Sequence, residues 1–207
     1  MARAILMMAH ASTPAMRKGA FPERDNEAAA LLALRTGSAG DALDQRAIEE
    51  LTATRTSRNF VALTDTYVRV CCAPSRIAVA SAYGLGFASD QITLDTGLAT
   101  PHHGSWAGAS ALQIGLDNPV ALQAWTRDPF FAPPGGESFN AVCRRVTIWL
   151  ATVMKDDSDQ AGDDDEALPV LAIASAPVIR AAVLLARRAP IETFFQLNVA
   201  PAALFTL

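Results

Sequence analysis

Cysteine is scarce in this chain: Cys71, Cys72 and Cys143 make an odd number, two of them adjacent and none in a C-x-x-C spacing. That argues against a disulfide framework or a cysteine-built zinc site, and suits a reducing compartment where thiols serve as small core residues. Long apolar runs are also missing. None reaches the ~18 residues of a membrane helix, and the apolar stretch behind Arg3 is too short for a secretory signal. A cytoplasmic location is the expectation. There is no G-x-G-x-x-G and no Walker loop, no internal repeat, and no linker that would divide the chain. Positive charge is in short supply too. The net charge is −4, and seven acids lie in the run Asp156–Glu166, so the rest of the chain carries only +3. A mildly basic body suits a small anionic ligand but is far too weak to argue for nucleic acid.

What is there is an ordinary globular composition, 51% hydrophobic and 18% charged, enough at 207 residues to bury one large core. Ile5 to Ala9 is an apolar run closed by the small-residue turn Ala11-Ser12-Thr13-Pro14, which predicts a buried strand with His10 at its carboxyl end. A loop is expected from Pro14 to Asp25, then helices over Asn26–Leu34, with Asp25 or Asn26 as cap, and over Ala42–Leu51. Thr66–Cys72 is β-branched and apolar, a second strand, and Pro74-Ser75 punctuates it before a helix over Arg76–Tyr83. Ile92 and Leu94 suggest an edge strand. Thr100–Gly108 is a loop carrying His102, His103 and Trp106, and Ala109–Leu116 and Pro119–Trp125 read as helices. Three prolines and two glycines make 127–136 irregular. Beyond it Val142, Val146, Trp149, Leu150 and Val153 share one helical face. The acidic run around 155–167 reads as a solvated surface loop. Val170–Ala174 is a third buried strand, Val178–Ala186 a helix with Pro177 in its first turn, and Thr193–Val199 a last strand.

Strands alternating with helices predict one α/β domain over 1–207, a three-layer sandwich with a mostly parallel sheet and helices on both faces. In such sheets ligands bind beyond the carboxyl ends of the strands, which places His10 better for chemistry than most residues, although this stretch alone still favours a core or capping histidine.

Placed in that order, the landmarks resemble the histidine phosphatase superfamily, the phosphoglycerate-mutase-like fold, over nearly the whole chain. Ala9-His10-Ala11-Ser12-Thr13 looks like the family's Arg-His-Gly-x-Thr, and Cys72-Ala73-Pro74-Ser75-Arg76 like its Ser-Pro-x-x-Arg. Gly104-Ser105-Trp106-Ala107-Gly108 is similar to Gly-x-Trp-x-Gly, and Gly135-Gly136-Glu137-Ser138 matches Gly-Gly-Glu-Ser, with Arg145–Leu150 following at the usual interval. Val170–Arg180 resembles the strand ending Thr-His-x-x-Val-x-Arg.

The resemblance implies a histidine nucleophile that attacks phosphorus, arginines and a second histidine that neutralise the equatorial oxygens, and a carboxylic acid that protonates the leaving alcohol. It places the nucleophile at His10 and a phosphate contact at Arg76, with Arg17 in the loop where a further contact often stands. The departures are large. Ala9 stands where the family has arginine, Ser175 where it has the second histidine, and the acid position falls near Thr100, with no carboxylate between Asp95 and Gly108.

All three histidines of the chain fall in the regions that would form this pocket. His10 with His102 or His103 could form an acid–base pair, while a zinc site lacks an evident completing ligand, so neither metal nor cofactor is expected. Arg76 and Arg17 are the candidate anion clamp, with Ser12, Thr13, Ser175, Trp106 and Glu137 as further candidate contacts. Each has an alternative: Arg76 as a helix-start arginine, Ser175 as a small packing residue or a new nucleophile, Trp106 as core or pocket wall, Glu137 as a helix cap. The expected function is a divergent enzyme of this fold using acid–base or nucleophilic chemistry on a small anionic metabolite. A catalytically inactive pseudophosphatase that binds a metabolite or partner protein, and residual phosphomonoesterase activity through His10, are the alternatives. The expected partners are a small molecule and a second copy of the chain, with neither nucleic acid nor membrane.

Overall fold

The structure, a computed structural model, describes residues 4–23, 27–38, 42–64, 68–155 and 168–207. The acidic run, the Asp25/Asn26 cap and the Thr66-Tyr67 start of the second strand lie outside these. Among the described residues five strands form one sheet, β1 (Ile5–Ala9), β2 (Arg69–Cys72), β3 (Ile92–Leu94), β4 (Val170–Ala174) and β5 (Leu204–Thr206), in the order β3-β2-β4-β1-β5. The first four are mutually parallel and only β5 runs antiparallel, on the edge beside β1. Every residue of β1 and β4 is buried. Their unbroken apolar runs, rather than alternating ones, follow from a sheet covered on both faces.

The helices are α1 (Pro14–Arg17), α2 (Glu27–Thr36), α3 (Gln45–Arg55), α4 (Arg58–Thr64), α5 (Arg76–Leu85), α6 (Ala111–Asp117), α7 (Pro119–Arg127), α8 (Phe139–Lys155) and α9 (Ala176–Ala186). In one helical group α2 and α3 pack on α5; in the other α8 packs on α9. The face of α8 that meets the core is Val142, Cys143, Val146, Trp149 and Val153, all buried, each apolar side chain contributing about 1.5–3 kcal/mol. The three thiols are free and buried, and burial pushes the Cys143 thiol up to about 11, so they act as apolar filler.

Two sequence expectations need correction, and one helix has no counterpart in the sequence reading. The predicted loop at 14–25 opens with the short helix α1, capped by the Thr13 hydroxyl accepting from the Met16 N–H. Arg58–Thr64 is helical, a segment whose sequence periodicity is too short to announce it. Thr193–Val199 is not a strand: a 3-10 turn at Ile191–Thr193 leads into Phe194, which stacks on Phe139 (4.7 Å), and Phe195, which meets Trp125 edge-on (5.0 Å). Adjacent aromatics that both find ring partners do not alternate as a strand would, and the sheet edge goes to Leu204–Thr206 instead.

Candidate active site

Strand register builds the site. Pairing Ala9 with Ala174 and Cys72 with Ile173 sets the carboxyl ends of β1, β4 and β2 side by side. The His10 N–H donates to the Ala174 carbonyl (3.0 Å) and the Ala73 N–H to the Ile173 carbonyl (2.8 Å), so the ladder runs past the strand ends. The chain therefore delivers His10, Ser175 and the Ser75-Arg76 turn to one place. Ser75 caps α5 by accepting from the Ala78 N–H, which fixes where Arg76 leaves the helix start.

The opposite wall is made by two interlocked loops, 97–108 and 133–137. The Glu137 N–H donates to the His102 carbonyl (2.7 Å) and the Ser105 N–H to the Pro134 carbonyl (3.0 Å). Gly104, at φ +54°, admits no side chain: a Cβ there would lie 2.6 Å from the Gly136 nitrogen and closer still to the Pro134 oxygen. Arg145 ties the same loops to α8. Its Nη1 and Nη2 donate to the Gly97 (2.7 Å) and Ala99 (2.6 Å) carbonyls, and its Nε donates to Glu137 Oε1 (2.9 Å). This is why the Gly-x-Trp-x-Gly and Gly-Gly-Glu-Ser sequences stand where they do: together they hold His103 over the strand ends.

Between the walls lies an open cleft of about 570 Å³, lined by His10, Thr13, Arg76, Thr100, His103, Ser175 and Arg180 among others. Phe21, Ile77, Trp125 and Pro177 give it apolar sides. His10, only 7% exposed, donates from Nδ1 to the Ala11 carbonyl (2.9 Å) when its ring is neutral, which leaves Nε2 as the basic nitrogen. His103 packs on Phe21 (5.1 Å) and Trp125 (6.5 Å). Burial, with the His102 charge adding to it and Glu137 opposing, pushes the His103 pKa down to about 4, so it is neutral at pH 7. Two buried polar atoms facing this region, Ser175 Oγ and His103 Nδ1, have no hydrogen-bond partner. Ser175 heads α9 without making the side-chain cap its position would allow. Arg180 donates to the Leu197 carbonyl (3.0 Å) and lies over the Phe195 ring (5.3 Å), and burial lowers its pKa from the usual value. Among the described residues no group of three or more His, Cys, Asp and Glu side chains is placed to hold a metal.

The sequence profile of the histidine phosphatase superfamily (branch 1) matches residues 43–207. The chain belongs to this superfamily. It is 34% identical over 90 residues to the glucosyl-3-phosphoglycerate phosphatase of Mycobacterium tuberculosis, a stretch covering 44% of this chain and 40% of that protein. The chain thus matches well under half the length of that curated relative. Its fold is similar to the native structure of a mycobacterial glucosyl-3-phosphoglycerate phosphatase (TM-score 0.75, 23% identity, covering 100% of this chain and 90% of that one). The alpha-ribazole phosphatase of Shigella flexneri is also similar (TM-score 0.71, 17% identity, 98% and 89% covered).

Within this histidine phosphatase fold, the residues singled out from sequence divide into two sets. His10, His103, Arg76, Thr13 and Ser175 line the cleft. His102 does not: its Nδ1 bonds to the Gly135 carbonyl (2.9 Å), so the ring fastens one loop to the other. Arg17 is drawn away to Asp44 and to the Ser12 hydroxyl (2.7 Å), and Ser12 itself is buried and donates its backbone N–H to Glu50 Oε2 (2.8 Å). Both shape the loop beneath Thr13. Trp106 is buried against Phe21 (5.2 Å) and Phe131 (6.0 Å), behind the wall. Glu137 neither caps α8, which Ser138 does by accepting from the Ala141 N–H, nor reaches the cleft; it is paired with Arg145. Sequence reasoning passed over Arg180, although it closes the Val-x-Arg of the fifth motif, and over the aromatic side of the cleft, whose members are far apart in the chain.

Proposed function

We propose that the chain is an enzyme acting on a small anionic metabolite, a phosphate ester in the first instance, with His10 as nucleophile and without the standard complement of phosphatase groups. The observation that carries this reading is the hydrogen bond from His10 Nδ1 to the Ala11 carbonyl, which leaves Nε2 basic at the carboxyl end of β1 in a cleft shared with Arg76 and Arg180. The neutral His103 ring and the Ser175 hydroxyl supply polar contacts to the transferred group, and the two guanidiniums its counter-charge. Relatives named as phosphatases support the same class of ligand. The replacements at Ala9, Ser175 and Thr100 make the reading a non-standard one, since each removes a charge or proton source that the superfamily's chemistry uses.

Those same replacements favour a second reading, a pseudophosphatase that holds a metabolite without turning it over. Turnover of 4-nitrophenyl phosphate, with acid-quench trapping of labelled phosphate, separates the two. The enzyme reading expects label on His10 and loss of turnover in His10→Asn. Phosphate or vanadate binding without turnover or label would establish the second reading.

A further inference from the structure

We infer that the cleft selects substrates whose leaving group is apolar and departs as a stabilised anion, aryl and enol phosphates rather than alkyl and sugar phosphates. The inference rests on His10 acting as the nucleophile, and two independent features of the cleft carry it.

The first is the proton supply. An alkoxide leaving group must be protonated as its bond to phosphorus breaks, whereas a phenolate or enolate needs little help. The wall facing His10 holds no carboxylate from residue 96 through 107, and Thr100, which lines the cleft, offers only a hydroxyl. His103 is the other group on that wall, and as a neutral ring inside an aromatic cluster it carries no acidic proton at pH 7. Glu137, held by Arg145, and Asp128 line a small adjoining cavity of about 30 Å³ that shares His103 and Arg180 with the cleft, and neither lines the cleft itself. Glu23, on the outer rim and exposed, is the carboxylate that lines the cleft among the described residues.

The second is the wall itself. Met16, Phe21, Ile77, Ala111, Trp125 and Pro177 present a broad apolar surface where the body of the substrate must lie. A polyhydroxylated sugar placed against it would bury hydroxyls without partners, whereas a flat hydrocarbon ring would be taken out of water on both sides.

The step is then simple to balance. The Nε2 lone pair of His10 forms an N–P bond as the ester P–O bond breaks, and the electron pair leaves on the aryl or enol oxygen, which takes a proton from water. Water next attacks phosphorus, the N–P electrons return to Nε2, and the proton of that water leaves with inorganic phosphate or to solvent. Arg76 and Arg180 hold the phosphoryl oxygens throughout.

The test is a leaving-group series on the full chain: substituted phenyl phosphates from dinitrophenyl to phenyl, then glycerol 3-phosphate and glucose 6-phosphate. kcat/KM should fall by about a thousandfold between the best and worst phenols and be lower again for the alkyl esters. Thr100→Glu should flatten the dependence by restoring a proton donor, and Glu23→Gln should leave the slope as it is. Independently of turnover, phenylphosphonate should compete at least about tenfold better than methylphosphonate, and Trp125→Ala should erase the difference. A flat series in the parent protein, or a slope that steepens in Glu23→Gln, overturns the inference while leaving His10 as nucleophile. Phosphohistidine absent with every ester removes the underlying reading and this one together.

Discussion

Gly104 and Gly135 offer a paired test of how the histidine-bearing loop is held. Both have positive φ, +54° and +71°, so replacing either with alanine imposes the left-handed backbone cost of about 1–2 kcal/mol. They differ in surroundings. A Cβ on Gly135 meets nothing within 4 Å, whereas one on Gly104 meets the Gly136 nitrogen at 2.6 Å and the Pro134 oxygen closer still. The two loops cannot stay in register around that atom. They must part, and the bonds from the Ser105 N–H to Pro134 and from the Glu137 N–H to His102 go with them, at about 1 kcal/mol each. Gly104→Ala should therefore lose about 3–4 kcal/mol and Gly135→Ala about 1–2 kcal/mol. The difference of about 2 kcal/mol corresponds to roughly 4–8 °C in Tm for a domain of this size, measured by urea titration and thermal melts on the same preparations. Equal losses from the two replacements would refute the interlock, because the backbone term alone would then account for both.

Two further outcomes follow from the buried polar groups of the cleft. His103 has its pKa held below the ordinary 6.5, at about 4, so as pH falls through that window the unfolded chain binds the proton first and the folded state loses stability, by about 3 kcal/mol in all; urea midpoints at pH 7 and pH 4.5 should show the drop, and His103→Gln should shrink it. Ser175→Ala removes a buried hydroxyl that has no partner, so the free protein should be unchanged or up to about 1 kcal/mol more stable, while phosphate affinity measured by calorimetry should weaken; a clear loss of stability would mean the hydroxyl is bonded after all.

How much of this was legible in the chain depends on how local the cause is. A buried strand that ends at a small-residue turn fixes the position of the next residue, so His10 could be placed at the end of the sheet from a run of five apolar residues, while Arg76 and Ser175 were brought to the same pocket by the family resemblance. The choice between His102 and His103 was not legible, because neighbours in a loop point to different sides and the Gly135 carbonyl, 33 residues on, decides which ring is captured. Arg17 closes the short helix α1 in the segment expected as a loop, and its direction is set by Asp44 on another element, whose own pKa is lowered by the Ala47 N–H and then by Arg17. The apolar side of the cleft was invisible for the same reason: Phe21, Trp125 and Phe195 meet only through the tertiary fold, with ring centroids 5.0 Å apart in each contact that Trp125 makes with the other two.

Arg180 brings these strands of reasoning to one point. Its guanidinium is largely withdrawn from water, which is why its pKa falls, yet the partners it has are the neutral Leu197 carbonyl and the Phe195 ring. Among the described residues no carboxylate is paired with it. A half-buried positive charge without a counter-ion carries a desolvation cost, and the fold has nevertheless set it at the cleft beside an orphaned serine hydroxyl and a neutral imidazole. All three can offer a hydrogen bond or a positive charge to an incoming anion, and the guanidinium disfavours a cationic ligand. The polar end of the cleft is thus arranged for negative charge and the opposite side for hydrocarbon. A phosphate ester with a flat, apolar leaving group, the substrate class proposed above, would satisfy both ends at once.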